Sequence, residues 1–510
     1  MIQLLWFKRD LRLAQNYALI RAIESAKEKG PVLFLYIHEP ELWASPTYSS
    51  RHQVFLRQCL DDLRNSIENC GGVLIEKVGS CIEVFSELCA KLPVSRVTAH
   101  EEITDSWGYA RDKSIRLWLK DHQVEFVEVE QNNIQRGMGL QRPFGDWFEL
   151  ASRAKQRDPR GVDLRRYLVS ELPSGIALDE ALQNGALPHA VLPHTAPLPC
   201  PKAQRGGETQ AHAILNRFMN WDSLKAYPYS ISSPNRAVNH GSRLSAHLAW
   251  GTLSHAQVAK RINDLIAQAH ETKRDDVLEL ESAARFYLDR LQWRQGYHAH
   301  TELNPDNDSQ EYFAAFKAPD AWPTHTAEYA NRLRAFEQGQ TGIPLIDACM
   351  ACLLQTGWLN FRFRSALANF ACMGLGLYWK DVGHILARLF VDFDGGAIHW
   401  SQMRIASGTG QFDQLLVYSI AKQSREQDKA AQFQKQYLPM LRQVPAEYFH
   451  DFWLRPAEEL EPFGVALGSH HRGANYPHPI VNPDEATATG KKWVYECRKS
   501  GPIPRYTRQT

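Results

Sequence analysis

The sequence predicts an α/β unit built on a doubly wound parallel sheet, followed by an all-helical unit. Three observations carry this. Over the first 130 residues, short apolar runs alternate with stretches of helical period. From about Glu208 onward the apolar period is helical almost throughout, with no convincing strand. Between them, Pro143, Pro159, Pro173, Pro188, Pro193, Pro197, Pro199 and Pro201 break a weakly patterned stretch that ends at Gly206-Gly207.

The elements follow in order. Strands are expected at Gln3–Phe7, Val32–Ile37, Val73–Val78, Arg96–Ala99 and Val124–Val129, and helices between them at Tyr17–Lys29, Arg51–Asn69, Ile82–Lys91 and Trp107–Lys120. Strands separated by helices of this length make a parallel sheet, which binds ligands at the carboxyl ends of its strands. The connector should hold some helix near Leu164–Leu182. Further helices are expected at Ala211–Trp221, Ser254–Ala269, Val277–Tyr297, Pro344–Gln355 and Phe361–Tyr378, and the chain turns Pro- and Gly-rich again past Phe452. The implied division is 1–130, an inter-domain connector at 131–207, and a helical unit at 208–510.

Net charge is +1, so binding to nucleic acid would need a local basic face. The run Arg153, Lys155, Arg157, Arg160, Arg165, Arg166 reads first as a solvated helix face. Met1–Phe7 is apolar but is interrupted at once by Lys8, Arg9, Asp10 and Arg12, so neither a signal peptide nor a membrane span is expected. Nine cysteines without disulfide spacing suit a reducing, cytoplasmic setting. Cys349 and Cys352 form a CxxC in a helical pattern with no second CxxC, which reads as buried apolar cysteine rather than a metal site.

Several motifs carry chemistry. In Asn239-His240-Gly241-Ser242-Arg243-Leu244-Ser245, Gly, Ser and Arg before an apolar helix can seat an anion; the segment also reads as an ordinary N-cap. The densest stretch runs from Thr341-Gly342-Ile343-Pro344 to Thr409. It contains Gly357-Trp358-Leu359-Asn360-Phe361-Arg362-Phe363-Arg364 and Phe390-Val391-Asp392-Phe393-Asp394-Gly395-Gly396. A Trp, two arginines and an Asp-x-Asp pair amid glycines and apolar helix are what a buried, anionic aromatic cofactor requires.

These segments, with Leu291-Gln292-Trp293-Arg294 and the N-terminal Leu4-Leu5-Trp6-Phe7-Lys8-Arg9-Asp10-Leu11-Arg12, resemble the DNA photolyase/cryptochrome family over nearly the full chain. The resemblance implies an antenna-type α/β domain and a helical FAD-binding domain. It implies cofactor contacts at Tyr229, Ser242, Arg243, Leu244, Ser245, Arg294, Trp358, Arg364, Asp392 and Asp394, with Arg364 pairing Asp392. Glu101, in His100-Glu101-Glu102 after the fourth strand, would hold a second antenna chromophore of folate or deazaflavin type. Trp293 would line a lesion cavity, and Arg290, Arg362 and Arg404 would contact lesion or phosphate. Trp379 matches the middle member of the family's tryptophan relay. The expected partner is UV-damaged DNA, with no membrane contact, and the expected state is a monomer.

The departures cluster around the lesion site. Arg290 stands where many dimer photolyases have Glu, and a cation cannot accept hydrogen bonds from a pyrimidine edge. Phe361, Ser365 and Ile398 replace other family residues, and the histidines of (6-4) photolyases would fall at Phe361 and Ser365. The outer relay positions fall on Thr326 and Gln402, with Trp322, Tyr378 and Trp400 nearby as substitutes. The expectation is light-driven splitting of cyclobutane pyrimidine dimers by reduced FAD. The alternatives are a blue-light photoreceptor of the cryptochrome type and (6-4) repair.

Overall fold

The computed structural model describes residues 1–131, 163–176, 198–318, 321–411, 414–468 and 474–503. Five parallel strands form one sheet: β1 (Ile2–Phe7), β2 (Val32–His38), β3 (Leu74–Val78), β4 (Val94–His100) and β5 (Glu125–Val129). Their order is β3-β2-β1-β4-β5, with Leu5 opposite Phe34 on one side and Thr98 on the other. Strands β1 and β2 are apolar at nearly every position because helices cover both faces. The winding reverses between β1 and β4, which opens a crevice at their carboxyl ends.

Among the described residues no strand follows β5; only isolated bridges occur. Several expected helices differ in extent. Tyr17–Lys29 is two helices, Tyr17–Glu24 and Ala26–Lys29, broken at Ser25. Val277–Leu303 runs six residues beyond Tyr297. The helix expected at Phe361–Tyr378 ends at Asn369, continues as a π turn over Phe370–Gly374, and then breaks near Gly376, whose φ of 67° favours glycine.

Two further segments differ from expectation. In place of the helix near Leu164–Leu182, residues 163–176 hold a single 3-10 turn, Leu164–Tyr167, packed beside β2; the rest of that segment lies outside the described residues. So do Pro143, Pro159, Pro188, Pro193 and Pro197, and the basic residues Arg153–Arg160. Conversely, Pro483–Arg498 is a regular helix in the Pro- and Gly-rich end. Asn482 caps it by accepting from the Asp484 N–H, and Pro483 occupies its first turn. No described helix is long and apolar enough to cross a membrane.

The N-terminal motif clamps the two units together. Arg9 Nη1 donates to the carbonyls of Ala249 and Phe393, each at 3.2 Å, and Arg12 Nη1 donates to Gly251 at 2.8 Å. Arg51 reaches the carbonyls of Leu353 and Leu389 at 2.7 and 3.2 Å, His52 bonds that of Phe390 at 2.8 Å, and the Trp250 indole N–H donates to Val391 at 3.2 Å. The sheet unit and its neighbour thus hold, carbonyl by carbonyl, the turn that carries Asp392 and Asp394.

Candidate functional site

A cavity, partly open to solvent, lies inside the helical unit. Its floor is polar: Ser242, Arg243, Ser245, Arg294, Arg364, Asp392 and Asp394. Its walls are aromatic and aliphatic: Tyr227, Ile231, Trp358, Leu359, Phe390, Phe393 and Ile398. Four stretches distant in sequence converge here: the Gly241–Ser245 segment, the long helix Val277–Leu303, the Trp358–Arg364 helix start, and the Asp392–Asp394 turn.

Two Arg–Asp pairs stand in the floor. Arg364 Nη2 reaches both carboxylate oxygens of Asp392, at 3.0 and 2.8 Å, while its guanidinium lies 3.8 Å over the Phe390 ring. One nitrogen makes both bonds, so this is not the two-nitrogen fork expected of such a pair. Arg294 bonds Asp394, and both are buried. Burial drives nearby His298 down to about 4 and His399 down to about 3, so both rings are neutral near pH 7.

The polar groups are not saturated. Arg294 Nε and Asn360 Oδ1 are buried without a partner. Asn360 spends its amide N–H groups on the carbonyls of Ile231 and Ser232. Arg243 stacks 3.8 Å over Trp358 and has no carboxylate within ion-pair distance among the described residues; burial pulls its pKa down to about 10. Unpaired buried polar groups around a cavity are costly unless a ligand completes them. An anionic, ring-bearing dinucleotide fits this donor set: the cations and hydroxyls at Ser242, Arg243 and Ser245 suit phosphate, and the flat walls suit ring systems. FAD is such a ligand.

Not every expected contact is in place. Tyr229 is 74 % exposed and absent from the lining; Tyr227, two residues earlier, takes the wall because the helix Trp221–Ser230 turns that side inward. Leu244 is fully buried in the apolar cluster of its neighbouring helices rather than in the cavity. The helix after Ser245 is only five residues long, so phosphate would rest on side chains more than on a helix dipole. Arg404 is 1 % exposed and pairs with Glu311 at 3.2 Å, so DNA cannot reach it.

Trp379 and Trp400 are buried behind His399 with ring centroids 5.7 Å apart. Cys349 and Cys352 are buried in the helix Pro344–Thr356, and burial pushes both thiols up. Sequence reasoning missed Tyr227, His399 and Tyr287, which is hydrogen bonded to Ser242. Helical spacing could have exposed Tyr287, one turn before Leu291 and two before Arg294; nothing in the local sequence marks His399.

One face of Val277–Leu303 carries Arg290, Trp293 and Tyr297 at i, i+3, i+7. Arg290 lies 3.9 Å over the Trp293 ring, which is 50 % exposed. Phe361, on the cavity lining and 41 % exposed, adjoins Arg362, whose guanidinium faces Tyr418 at 5.9 Å. Neither Arg290 nor Arg362 has a carboxylate within ion-pair distance among the described residues, and the Nε of each is buried without a partner. At the crevice between β1 and β4, a second, smaller cleft of about 390 Å³ is lined by Arg9, Glu101, Glu102, Thr104, His298 and Asp394.

Known proteins match this arrangement. Residues 3–137 match the family model described as DNA photolyase, and residues 287–495 match the FAD binding domain of DNA photolyase. The chain is 26 % identical over 521 residues to a cryptochrome DASH of Gloeobacter violaceus, covering 98 % of each chain. It is 26 % identical over 515 residues to the deoxyribodipyrimidine photo-lyase of Escherichia coli, covering 98 % of this chain and 99 % of that one. A Synechocystis cryptochrome structure superposes with a TM-score of 0.78 at 22 % identity, over 96 % of this chain and 99 % of that one.

Proposed function

Because the chain belongs to the DNA photolyase/cryptochrome family, we propose that it is a blue-light-driven repair enzyme that splits cyclobutane pyrimidine dimers in UV-damaged DNA. The observation that carries this reading is the surface beside the cavity. It offers two exposed aromatic rings, Trp293 and Phe361, and two cations, Arg290 and Arg362, without carboxylate partners among the described residues.

Such a surface suits a flipped-out lesion. Aromatic faces stack bases, cations meet phosphates, and the lesion must leave the helix to reach a buried cofactor. FAD, which Ser242, Arg243, Arg294 and Arg364 would hold in the cavity, would supply the light-driven one-electron chemistry. The protein's own residues do the rest. Arg364 and Asp392, with Arg294 and Asp394, fix charge and orientation along one edge of the cavity. Leu359, Phe390, Phe393 and Ile398 exclude water. Arg290 cannot accept hydrogen bonds from a pyrimidine edge; stacked on Trp293, it offers donors to the carbonyls of the lesion instead. The cleft at Glu101 is where an antenna chromophore would sit.

A second reading, a cryptochrome-type photoreceptor without repair, is favoured by Arg290 in place of an acid. The deciding experiment is repair by the purified, reduced protein of an oligonucleotide carrying a thymine dimer, in blue light and in darkness. Light-dependent restoration of the thymines is expected. FAD bound with no such repair would sink the dimer-photolyase reading, and a (6-4) oligonucleotide would then separate (6-4) repair from sensing.

A further inference from the structure

Beside the cofactor cavity lies a second pocket, and the two have only Arg243, Trp358, Leu359 and Asn360 in common. Residues of the helix Pro234–His240, the end of Pro344–Thr356 and the short helix Gln432–Tyr437 form its sides. Three cations border it, Lys202, Arg217 and Arg243, and no Asp or Glu is among its lining residues.

Cations at a surface are ordinarily solvated or paired. In the cofactor cavity the pairing is explicit, Arg364 with Asp392 and Arg294 with Asp394. Among the described residues, none of the three cations of the second pocket has a carboxylate within ion-pair distance, and Lys202 Nζ makes only a long bond to Gln355 Oε1, at 3.4 Å. Asp428, an acid bonded to the rim through Asn235, is already spent. It accepts from Asn235 Nδ2 and the Phe433 N–H at 3.0 Å each and from the Gln434 N–H at 3.1 Å. Burial, and then the charge of Arg217, pull Arg243 down to about 10. Like charges gathered in a pocket without a counter-charge raise the local concentration of anions.

The same pocket holds two rings. Phe433 and Tyr437, one helical turn apart, have centroids 5.0 Å apart. The Tyr437 hydroxyl is hydrogen bonded to the Cys352 thiol, which fixes the ring. Asn239 and Gln436, exposed at the rim, bring amides that both donate and accept.

We propose that this pocket binds a 5′-mononucleotide, held alongside FAD and distinct from it. The inference rests on the FAD reading for the occupant of the neighbouring cavity. Charge sets the class of ligand. Arg243 borders both cavities and serves the phosphates of FAD, which leaves Lys202 and Arg217 to match the charge of a phosphomonoester, about −2 at neutral pH. The phosphate meets those two cations. The base lies against the Phe433–Tyr437 wall, and the amides of Asn239 and Gln436 reach its edge, a donor–acceptor pairing that suits adenine. Arg243 and Trp358, stacked at 3.8 Å, form the wall shared by the two ligands.

The test uses the FAD-loaded protein, with FAD content read first from its absorbance, and equilibrium dialysis against AMP, adenosine and inorganic phosphate. One AMP per FAD-loaded chain is expected, with adenosine and phosphate each about 10-fold weaker or more. The double variant Lys202→Ala, Arg217→Ala changes two exposed side chains outside the cofactor cavity. It should weaken AMP about 10-fold or more and leave FAD content unchanged. The charge-preserving Lys202→Arg should keep AMP binding. No AMP on the FAD-loaded protein, or AMP undiminished in the double variant, overturns the inference alone. So does AMP that binds only FAD-free protein and leaves as FAD is loaded, because the pocket would then be part of the cofactor's own seat. A chain that takes up no FAD, yet binds AMP through Lys202 and Arg217, overturns the cofactor reading and leaves the nucleotide pocket standing.

Discussion

Two buried acidic clusters, both within the stretch from Thr341 to Thr409 and its contacts, differ in one respect. Asp347 is closed on itself. It accepts from the Thr341 N–H at 2.8 Å, the Thr341 hydroxyl at 2.7 Å, the Gly342 N–H at 3.0 Å and the Tyr476 hydroxyl at 2.8 Å. It lines neither the cofactor cavity nor the cleft at Glu101. The cluster at Asp392 and Asp394 borders a cavity, and among the described residues its surroundings leave Arg294 Nε and Asn360 Oδ1 without partners and Arg243 without a carboxylate. A buried carboxylate with all its bonds made inside the chain is part of the scaffold. A buried cluster with bonds left over at a cavity is a binding site.

Three substitutions test that contrast, beginning with the largest effect. Asp347→Ala strands four buried donor groups and should cost about 3 kcal/mol or more of folding stability, read by denaturant melts. The fraction that folds should bind FAD as the wild type does; weakened FAD binding in that fraction would erase the distinction between the clusters. Arg364→Ala should act the other way round, with FAD lost on gel filtration and affinity lowered by about 10-fold or more, equal to ~1.4 kcal/mol. Full retention of FAD would remove the Arg364–Asp392 pair from the cofactor's surroundings. Smallest is Tyr229→Ala. With Tyr229 exposed and Tyr227 on the wall, stability should move by no more than about 0.5 kcal/mol and FAD content not at all. Loss of FAD there would mean that the segment closes over the bound cofactor.

Much was legible without the structure. The short apolar runs and the period-3.6 stretches of the first 130 residues mark the strands and helices of the parallel sheet, because a sheet buried on both faces writes itself as short continuous apolar runs. The charged residues of the site could be picked out one by one because they stand in the order of the photolyase/cryptochrome family; taken singly, each Arg or Asp reads equally as a buried salt bridge. Helix ends were less legible. The π turn at Phe370–Gly374 and the helix Pro483–Arg498 depend on each other: Gly490 lies so close to Met373 that a Cβ there would sit 1.9 Å from its carbonyl oxygen. No local window contains both partners.

The sequence by itself determined the fold class, since that follows from apolar patterning along the chain, and its resemblance to the photolyase/cryptochrome family singled out the charged residues of the cavity floor and the buried Trp379 and Trp400. Only the tertiary structure decided which side of a helix faces the cavity, and so Tyr227 over Tyr229. It alone placed Arg404 in the core with Glu311 rather than on a DNA-facing surface. It also turned the N-terminal Trp-Phe-Lys-Arg-Asp-Leu-Arg run into a clamp on the Asp392 turn. The physical reason is the same in each case. Burial and hydrogen-bond saturation are properties of surfaces brought together from distant segments, and no residue carries them before the chain folds.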